Sequence, residues 1–306
     1  MPKEVYGSDF VFLPQSEVLT FEEITRLATL FAGLGVSKVR ITGGEPLVRR
    51  DVSKLVVMLA DVPGVDDLTM TTNGALLRQF AGDLKQAGLK RVTVSLDSLR
   101  DDVFQQMNDV HVPVAAVLGG IEAAASAGFK SVKVNMVVKR GLNDADIVEM
   151  ARHFRGTGHV LRFIEYMDVG TTNGWRTEDV VSADEILQRI SAEFPLEPIE
   201  PHYRGEVAGR YRYLDGAGEI GIISSVTQPF CGDCTRARLS ADGKLYTCLF
   251  SSVGHDLRSM MRRGATDDDL LSAITGVWRT RSDRYSELRT AETAHRPKVE
   301  MSFIGG

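Results

Sequence analysis

The chain has 306 residues, of which 43% are hydrophobic and 25% charged, a composition typical of soluble globular proteins. Its formal net charge of -5 argues against a general nucleic-acid-binding protein, which usually presents a basic face. We see no apolar run of about 18 residues and no basic-then-apolar leader, so the sequence predicts neither a membrane span nor a secretory signal and indicates the cytoplasm.

Short apolar runs rich in β-branched residues recur along the first half of the chain. They cover residues 38–42, 68–72, 91–97, 131–138 and 160–167. Each run is too short for a buried helix and therefore predicts a buried strand. Helix-like stretches lie between them, and the first opens with a capping box of Thr20 and Glu23. This alternation predicts an α/β fold with a parallel sheet.

The turns that follow these strands are rich in Gly, Asn and Asp. In a (βα) barrel, the loops at the carboxyl ends of the strands carry the active site. A doubly wound sheet is the alternative, but no G-x-G-x-x-G pattern follows the first visible strand. We therefore favour a barrel, whole or partial.

The pattern changes near residue 195, where a proline-rich stretch (194–205) predicts a linker. Beyond it lie short strand-like pieces and two helical stretches, at 255–263 and 267–279. We therefore predict two domains, residues 1–195 and 196–306.

All three cysteines lie in one short segment, where Cys231, Cys234 and Cys248 form a C-x2-C-x13-C pattern. Clustered cysteines in a chain without a leader indicate metal ligands or redox thiols rather than disulfides. A turn within residues 240–245 would return Cys248 on a hairpin. Two sites fit the spacing: zinc with His255 as the fourth ligand, or an iron–sulfur cube with one open iron.

Four cationic side chains stand out in a chain that is acidic overall. Arg40 and Lys133 fall within or near the carboxyl ends of two predicted strands, and Arg236 and Arg238 alternate on a strand-like piece. If they converged, they would grip a phosphate or a nucleotide, because arginine binds phosphate oxygens bidentately. Taken singly, each is also explained as a surface or structural charge.

Other strand-end residues are suggestive but have simple explanations. The paired glycines of "ITGGEP" (41–46) leave backbone groups open to a ligand, although a tight turn would also use them. Thr71, Ser95 and Met167 lie near strand ends, where backbone capping and core packing account for them. The terminal "FIGG" is either a frayed end or a slim tail able to enter a narrow cavity.

Together, the segments "VRITGGEPLVRRD", "TMTTNG", "VSLDS", "RFIEYM", "FCGDCTRARLSADGKLYTCLF" and the terminal "GG" closely resemble the molybdenum cofactor biosynthesis protein A family. These proteins are GTP 3',8-cyclases, which are radical S-adenosylmethionine (SAM) lyases. The resemblance covers nearly the whole chain in one order. It implies an incomplete (βα)6 TIM-like barrel with a C-terminal iron–sulfur cluster domain. It also implies cyclisation of GTP to (8S)-3',8-cyclo-7,8-dihydroguanosine 5'-triphosphate, the first step of molybdenum cofactor biosynthesis.

The resemblance also implies the site residues. A [4Fe–4S] cluster whose open iron binds the GTP purine would be ligated by Cys231, Cys234 and Cys248. The remaining contacts to GTP would come from Arg40, Thr71, Lys133, Arg236, Ala237 and Arg238. SAM would be held by Gly44, Ser95 and Met167. The double glycine required for turnover would be Gly305 and Gly306.

One departure from the family pattern affects the chemistry. The family's first [4Fe–4S] cluster is held by an N-terminal C-x3-C-x2-C motif followed by Met-Pro, whereas this chain begins Met-Pro and has no cysteine before Cys231. We therefore expect this chain to be N-terminally truncated, to lack the first barrel strand and to be inactive by itself. The alternatives are a non-catalytic GTP-binding protein with a single cluster, and a radical SAM enzyme acting on another substrate.

The resemblance implies partners as well. The electron donor would be a flavodoxin or ferredoxin, and cyclic pyranopterin monophosphate synthase would use the product. The sequence predicts neither nucleic-acid nor membrane partners, and it leaves a homodimer open.

Overall fold

The computed structural model describes residues 13–108, 112–171, 173–290, 296 and 298–305. Its strands are β1 (Lys38–Ile41), β2 (Asp67–Thr72), β3 (Arg91–Ser95), β4 (Lys133–Val138), β5 (Val160–Glu165), β6 (Leu196–Ile199), β7 (Gly209–Tyr213), β8 (Glu219–Ile223), β9 (Arg238–Leu239), β10 (Lys244–Tyr246) and β11 (His255–Asp256). Its helices are α1 (Phe21–Gly33), α2 (Val52–Ala60), α3 (Leu77–Gln86), α4 (Asp101–Asn108), α5 (Val114–Ser126), α6 (Ile147–Phe154), α7 (Ala183–Ser191), α8 (Leu257–Arg262), α9 (Asp267–Arg279) and α10 (Met301–Ile304). None of these helices has the length and apolar character needed to cross a membrane.

The main sheet has the strand order β1-β2-β3-β4-β5-β8-β7-β6. The neighbours from β1 to β5 and on to β8 are parallel, and β7 and β6 extend the row antiparallel. The predicted strands in the first half all form, and helices connect successive parallel strands. The predicted α/β class and partial barrel are therefore confirmed, with β8 as a sixth parallel strand.

The proline-rich stretch after residue 194 is not simply a linker. Residues 196–199 form β6, which pairs with β7 in the register Leu196↔Tyr213 to Ile199↔Arg210. Pro198 is accommodated because β6 is the edge strand of the sheet, where a missing N–H leaves no neighbouring strand unpaired. The sheet thus continues across the predicted domain boundary at residue 195, and the boundary itself stays a prediction.

The two faces of the parallel strands differ in polarity. In β4, Val134, Met136 and Val138 are fully buried in the main hydrophobic core, whereas the alternate residues are only partly buried. The same alternation buries the apolar face of β3 and of β8 against the surrounding helices. Because side chains alternate across a strand, the opposite set of residues must face the concave side of the sheet. That side, the lumen, carries mostly polar side chains and so is a cavity rather than a packed core.

Contacts across the lumen show that the sheet is curled. In a flat sheet, β1 and β5 would lie about 19 Å apart, at about 4.8 Å per strand. Instead, Lys38 of β1 donates to the Tyr203 hydroxyl at 3.0 Å, and Arg162 of β5 lies 3.9 Å from the carboxylate of Glu206. Tyr203 and Glu206 belong to one short loop, in which the Glu206 N–H donates to the Tyr203 carbonyl. This loop therefore bridges the two sides of the barrel.

Helix α1 joins the barrel to the C-terminal region. Its predicted capping box is confirmed, with Thr20 Oγ1 accepting from the Glu23 N–H and the Glu23 carboxylate accepting from the Thr20 N–H. One face of the helix packs into a second hydrophobic core shared with β10, α8 and α9. The buried members of this core are Leu19, Leu27, Leu30, Leu245, Leu257, Met261, Leu270 and Ile274. The β9–β11 sheet is thereby fixed relative to the barrel.

Helices α3 and α5 approach closely because of a glycine contact, which gives a testable prediction. A Cβ at Gly120 would lie 2.6 Å from the Gly74 carbonyl oxygen, whereas a Cβ at Gly276 in α9 would meet nothing within 4 Å. We expect Gly120→Ala to lower the free energy of unfolding by about 1–3 kcal/mol through overpacking. The matched Gly276→Ala should be neutral or stabilising by up to about 1 kcal/mol through helix propensity. Urea unfolding followed by circular dichroism measures both, and equal effects would contradict the packing argument.

Candidate active site

The residues predicted to hold SAM lie at the carboxyl edge of the sheet. Ser95 ends β3, Gly44 lies three residues beyond β1, and Met167 lies two residues beyond β5. The loop after β1 is tied to the loop after β2 by Glu45, whose carboxylate accepts from Thr72 Oγ1 and from the Asn73 N–H, each at 2.7 Å. The fold therefore brings three separate strand ends to one edge. Gly44 is exposed there, so its backbone is open to a ligand.

The lumen below this edge is strongly cationic. Arg40 projects from β1 and Lys133 and Arg162 from β4 and β5. Enclosure by the barrel lowers the pKa of Arg40, and the charges of Arg162 and Arg91 lower it further. Arg40 remains accessible to solvent although it is surrounded by protein, as expected for a side chain that lines an open cavity.

The expected position of Lys133 was wrong. It is the first residue of β4 and so lies at the amino end of the strand, not near the carboxyl end. Its register partners are Thr93 of β3 and Val160 of β5. Lys133 is only the third residue of the apolar run 131–138, and the strand itself begins at Lys133 and continues to Val138. Lys133 therefore points into the lower half of the lumen.

A cavity of about 250 Å³ opens at this lower end. Its lining includes Arg91, Lys133, Arg162 and the carboxylate of Glu206. Burial is the main reason that the pKa of Lys133 falls to about 7, and the positive charges of Arg162, Arg91 and Lys38 add to the effect. Burial likewise lowers the pKa of Arg162, although Glu206 opposes that shift. Such a group of enclosed cations is a favourable site for a polyanion.

Two protein groups partly balance this charge. The carboxylate of Glu206 is almost fully buried beside Arg162 and accepts from the His202 N–H at 2.7 Å. At the rim, Asp67 accepts from Arg91 Nε at 2.8 Å and lies 3.7 Å from Lys38 Nζ. Arg40 and Lys133 have no comparably close carboxylate among the described residues. The cavity thus retains an excess of positive charge.

Polar lumen atoms also lack protein partners. Within the described part of the chain, Thr71 Oγ1 and Asn135 Oδ1 are buried without a hydrogen bond. Buried polar atoms are normally satisfied, and one that lacks a protein partner is explained by water or a ligand. Thr71 is paired in register with Thr93, which is paired in turn with Lys133. Thr71 and Lys133 therefore lie on the lumen face of the sheet, at the same height along the barrel axis.

The cysteine segment folds as the hairpin that the sequence predicted. The turn places β9 against β10, with Arg238 opposite Tyr246 and the Gly243 N–H donating to the Ser240 carbonyl at 2.9 Å. When this pairing is extended by two residues beyond Tyr246 and Arg238, Cys248 lies opposite Arg236. Arg236 in turn donates Nε and an Nη to Cys234 Sγ, each at 3.3 Å. The hairpin thus returns Cys248 toward the first two cysteines.

The surroundings of two of the cysteines differ: those of Cys234 favour its thiolate, whereas burial raises the pKa of Cys248. Burial alone would raise the pKa of Cys234, but the charge of Arg236 and hydrogen bonds from the backbone, Arg281 and Arg236 lower it to about 7. The Phe250 N–H donates to Cys248 Sγ at 3.5 Å. Three free thiols, of which Cys234 and Cys248 accept N–H donors at sulfur, fit a cluster site, where such hydrogen bonds tune the metal centre.

The zinc alternative is less well supported. His255, the proposed fourth ligand, is exposed and pairs with Leu245 in the β10–β11 ladder. A cube spreads its thiolate ligands over different irons, so its ligands need not meet at one point.

The described end of the chain reaches this region. The Gly305 carbonyl accepts from Arg238 Nε at 3.1 Å. Gly305 has φ of 75°, and a Cβ there would lie 2.2 Å from Thr42 Cγ2. Only glycine therefore fits this narrow passage beside the loop that contains Gly44. The other predicted tail residue, Gly306, lies outside the described residues.

The arginines of the cysteine segment and those of the barrel are electrostatic neighbours. Burial lowers the pKa of Arg238 to about 10, and the charges of Arg236 and Arg40 contribute to that shift. Arg236 also lies over the Phe230 ring, 5.2 Å from its centroid. Arg236 precedes β9 rather than lying within it. Ala237, which separates Arg236 from Arg238, is exposed. Arg40, Arg236 and Arg238 are therefore close enough for their charges to interact.

Sequence reasoning missed three lumen cations, Lys38, Arg91 and Arg162. Two of them lie on the same face of the sheet as predicted site residues. Lys38 lies two residues before Arg40 on β1, and Arg91 is paired with Thr69, which lies two residues before Thr71 on β2. A search for polar residues at every second strand position would have found them. Arg162 was concealed within "VLRFIEYM", which was interpreted only as an apolar run.

Two family models match consecutive parts of the chain. The Radical SAM superfamily model matches residues 6–154, and the Molybdenum Cofactor Synthesis C model matches residues 159–287. Among solved structures, the chain is similar to a radical SAM methyltransferase from Sphaerobacter thermophilus, with a TM-score of 0.45, 20% identity, and coverage of 57% of this chain and 54% of that one. It is also similar to HydG, a maturase of the [FeFe]-hydrogenase, with a TM-score of 0.46, 12% identity, and coverage of 60% and 44%.

Curated relatives match the whole of this chain over 91% of their own length. The GTP 3',8-cyclase of Acidothermus cellulolyticus is 54% identical, and the match covers 100% of this chain and 91% of the relative. The GTP 3',8-cyclases of Staphylococcus saprophyticus and Staphylococcus carnosus are 49% and 48% identical, each with the same coverage. The resemblance inferred from the motifs is thereby confirmed. This chain belongs to the GTP 3',8-cyclase family of radical SAM enzymes.

Proposed function

We propose that this chain binds GTP across the lumen, with its triphosphate in the cationic lower half and its purine toward the cysteine hairpin. The observation that carries this proposal is the group of enclosed cations around the lower cavity, together with the electrostatic interaction of Arg40 with Arg236 and Arg238. Arg40, Lys133 and Arg162 line the barrel, and Arg236 and Arg238 approach from the hairpin. The name of these relatives, GTP 3',8-cyclase, supports the choice of nucleotide.

The roles follow from charge and reach. Arg40 and Lys133 would neutralise phosphate oxygens, and arginine would do so bidentately. Thr71, whose hydroxyl oxygen has no protein partner in the described part of the chain, would accept or donate one hydrogen bond to the ligand. Arg236, Ala237 and Arg238 would hold the nucleotide near the cysteines.

Cys231, Cys234 and Cys248 would hold a [4Fe–4S] cluster. With three protein thiolates, such a cluster supplies one iron with an open coordination position, to which the guanine can bind. The protein side of this site is the N–H donors to sulfur and the buried Arg238, which orient the ligand and exclude water.

SAM would bind at the carboxyl edge of the sheet, on Gly44, Ser95 and Met167. Support comes from the convergence of three strand ends and from the exposed backbone at Gly44. Gly305 and Gly306 would close the space between the two ligands, since Gly305 lies beside Thr42 and bonds to Arg238. The radical reaction joins C3' of the ribose to C8 of guanine, so the site must hold that carbon pair within reach.

The radical step would need a second cluster. No cysteine among these 306 residues precedes Cys231, so none of them can ligate a second cluster in the way the family's N-terminal motif does. For the cyclase, a flavodoxin or ferredoxin would donate the electron and cyclic pyranopterin monophosphate synthase would use the product.

The first test is nucleotide choice and its dependence on the cysteines. We expect anaerobically reconstituted protein to bind about four irons per chain and to prefer GTP over ATP by about tenfold or more. Cys248→Ser should lower the iron content and abolish the preference, because the open iron that selects guanine is lost. Iron analysis and equilibrium titration measure this. Equal affinity for GTP and ATP in the loaded protein would contradict the proposal.

The second test uses the pH dependence of anion binding. The pKa of Lys133 is about 7, so its ammonium group is charged below that pH and neutral above it. We therefore expect the affinity for inorganic triphosphate to fall between pH 7 and 8.5, by up to about tenfold per pH unit. Lys133→Arg stays charged and corrects for titration of the ligand itself. If both proteins showed the same slope, Lys133 would not be the titrating contact.

The third test concerns the buried carboxylate of Glu206. We expect Glu206→Gln to raise the affinity for inorganic triphosphate by about threefold to tenfold, because the carboxylate competes with phosphate for Arg162. Glu197→Gln is the matched control, since Glu197 pairs with Arg212 outside the lumen. Calorimetric titration gives both affinities. Weaker binding by Glu206→Gln would mean instead that Glu206 assists the ligand.

A further inference from the structure

A buried ionic cluster lies immediately after the strand end that carries Met167. Asp168 is 1% exposed, and its carboxylate accepts from Lys298 Nζ at 2.9 Å and from Arg289 Nε at 2.9 Å. The Tyr285 hydroxyl donates to the same carboxylate. Burial opposes ionisation of Asp168, but these hydrogen bonds and the charges of Arg289 and Lys298 outweigh it and lower its pKa. The cluster is thus a buried carboxylate held between two cations.

Lys298 makes two bonds to one residue. Its Nζ also donates to the Asp168 carbonyl at 2.8 Å, so the ammonium group contacts both the main chain and the side chain of Asp168. It lies over the ring of Tyr285, 5.0 Å from the centroid, and Tyr285 stacks on Phe250 at 4.4 Å. Phe250 is two residues beyond Cys248. The cluster therefore links the end of β5, the cysteine hairpin and the last segment of the chain.

From this cluster, the tail follows a fixed path to the nucleotide arginine. The Val299 N–H donates to the Ser251 carbonyl at 3.2 Å, and Glu300 accepts from the Thr171 N–H at 2.8 Å. Helix α10 then leads directly to Gly305, whose carbonyl meets Arg238. Only four residues form α10, which is too short to be stable without anchoring.

We propose that Asp168 and Lys298 form a positioning lock that sets the register of the C-terminal tail, so that the Gly305 carbonyl orients Arg238. This inference rests on the proposed GTP site. The ends of chains fray unless they are tied down, and the described tail from residue 298 onward is short. An apolar pair could bury the same area, but it would not fix which residue sits at the end of β5. A buried ion pair with a main-chain contact fixes that register, which is the role best attested for such pairs.

The test replaces the lysine while leaving the carboxylate paired. In Lys298→Met, Asp168 keeps Arg289 and Tyr285, so its charge is still compensated and the fold should persist. We expect hydrogen exchange in the peptide that covers residues 298–306 to become at least about tenfold faster. We also expect GTP affinity to fall by roughly threefold to tenfold, because an unrestrained Arg238 loses side-chain entropy on binding. Iron content should stay unchanged.

Two variants make the result specific. Lys298→Arg keeps the charge and should restore most of the exchange protection. Lys54→Met removes an exposed lysine, 3.1 Å from Asp51 on α2, and should change neither exchange nor affinity. If Lys298→Met does not fold, Lys298→Gln, which keeps a donor to the Asp168 carbonyl, takes its place in both measurements.

The outcomes separate the lock from the proposed function. Unchanged exchange in the tail peptide of a folded Lys298 variant overturns the lock, whatever happens to GTP. Faster exchange with unchanged GTP affinity overturns the link to Arg238. Faster exchange in a protein whose unmodified form does not bind GTP refutes the proposed function and leaves the lock in place.

Discussion

The enclosure of several cations in one lumen is the constraint on which the rest of this structure depends. Burial is the main cause that lowers the pKa of Arg40, Lys133 and Arg162; the charge of Arg91 lowers all three further, and that of Arg162 lowers the pKa of Arg40 and Lys133. The strands can present these residues together only because their opposite face is an apolar core that holds the sheet. The free energy gained by burying the apolar core therefore offsets the cost of enclosing these cations. An anion that binds in the cavity would stabilise the fold.

The C-terminal region completes the cavity rather than standing apart from it. Strand β8 supplies the sixth parallel strand, and the loop of residues 200–208 closes the lower end with Tyr203 and Glu206. The second hydrophobic core then fixes the cysteine hairpin against α1. These three connections explain why the two family models meet within one sheet, near the start of β5.

The tail belongs to the same arrangement. Asp168 follows β5 directly, Lys298 binds it, and Gly305 ends against Thr42 and Arg238. The two ends of this short segment are thus tied to opposite sides of the lumen. A substrate that entered there would contact barrel, hairpin and tail at once, so its binding would couple three elements that are far apart in sequence.

The sequence by itself determined the elements, because periodicity and caps are local: the first five strands, the capping box of α1, the α9 span and the hairpin that returns Cys248. Its motifs also determined the family. Only the tertiary structure decided that Lys133 enters the lumen from the amino end of β4, that Arg162 and Glu206 join it, and that residues 196–199 extend the sheet. The physical reason is that a strand's neighbours, its exact register and the charges facing it across a cavity depend on chain segments distant in sequence, which no local pattern records.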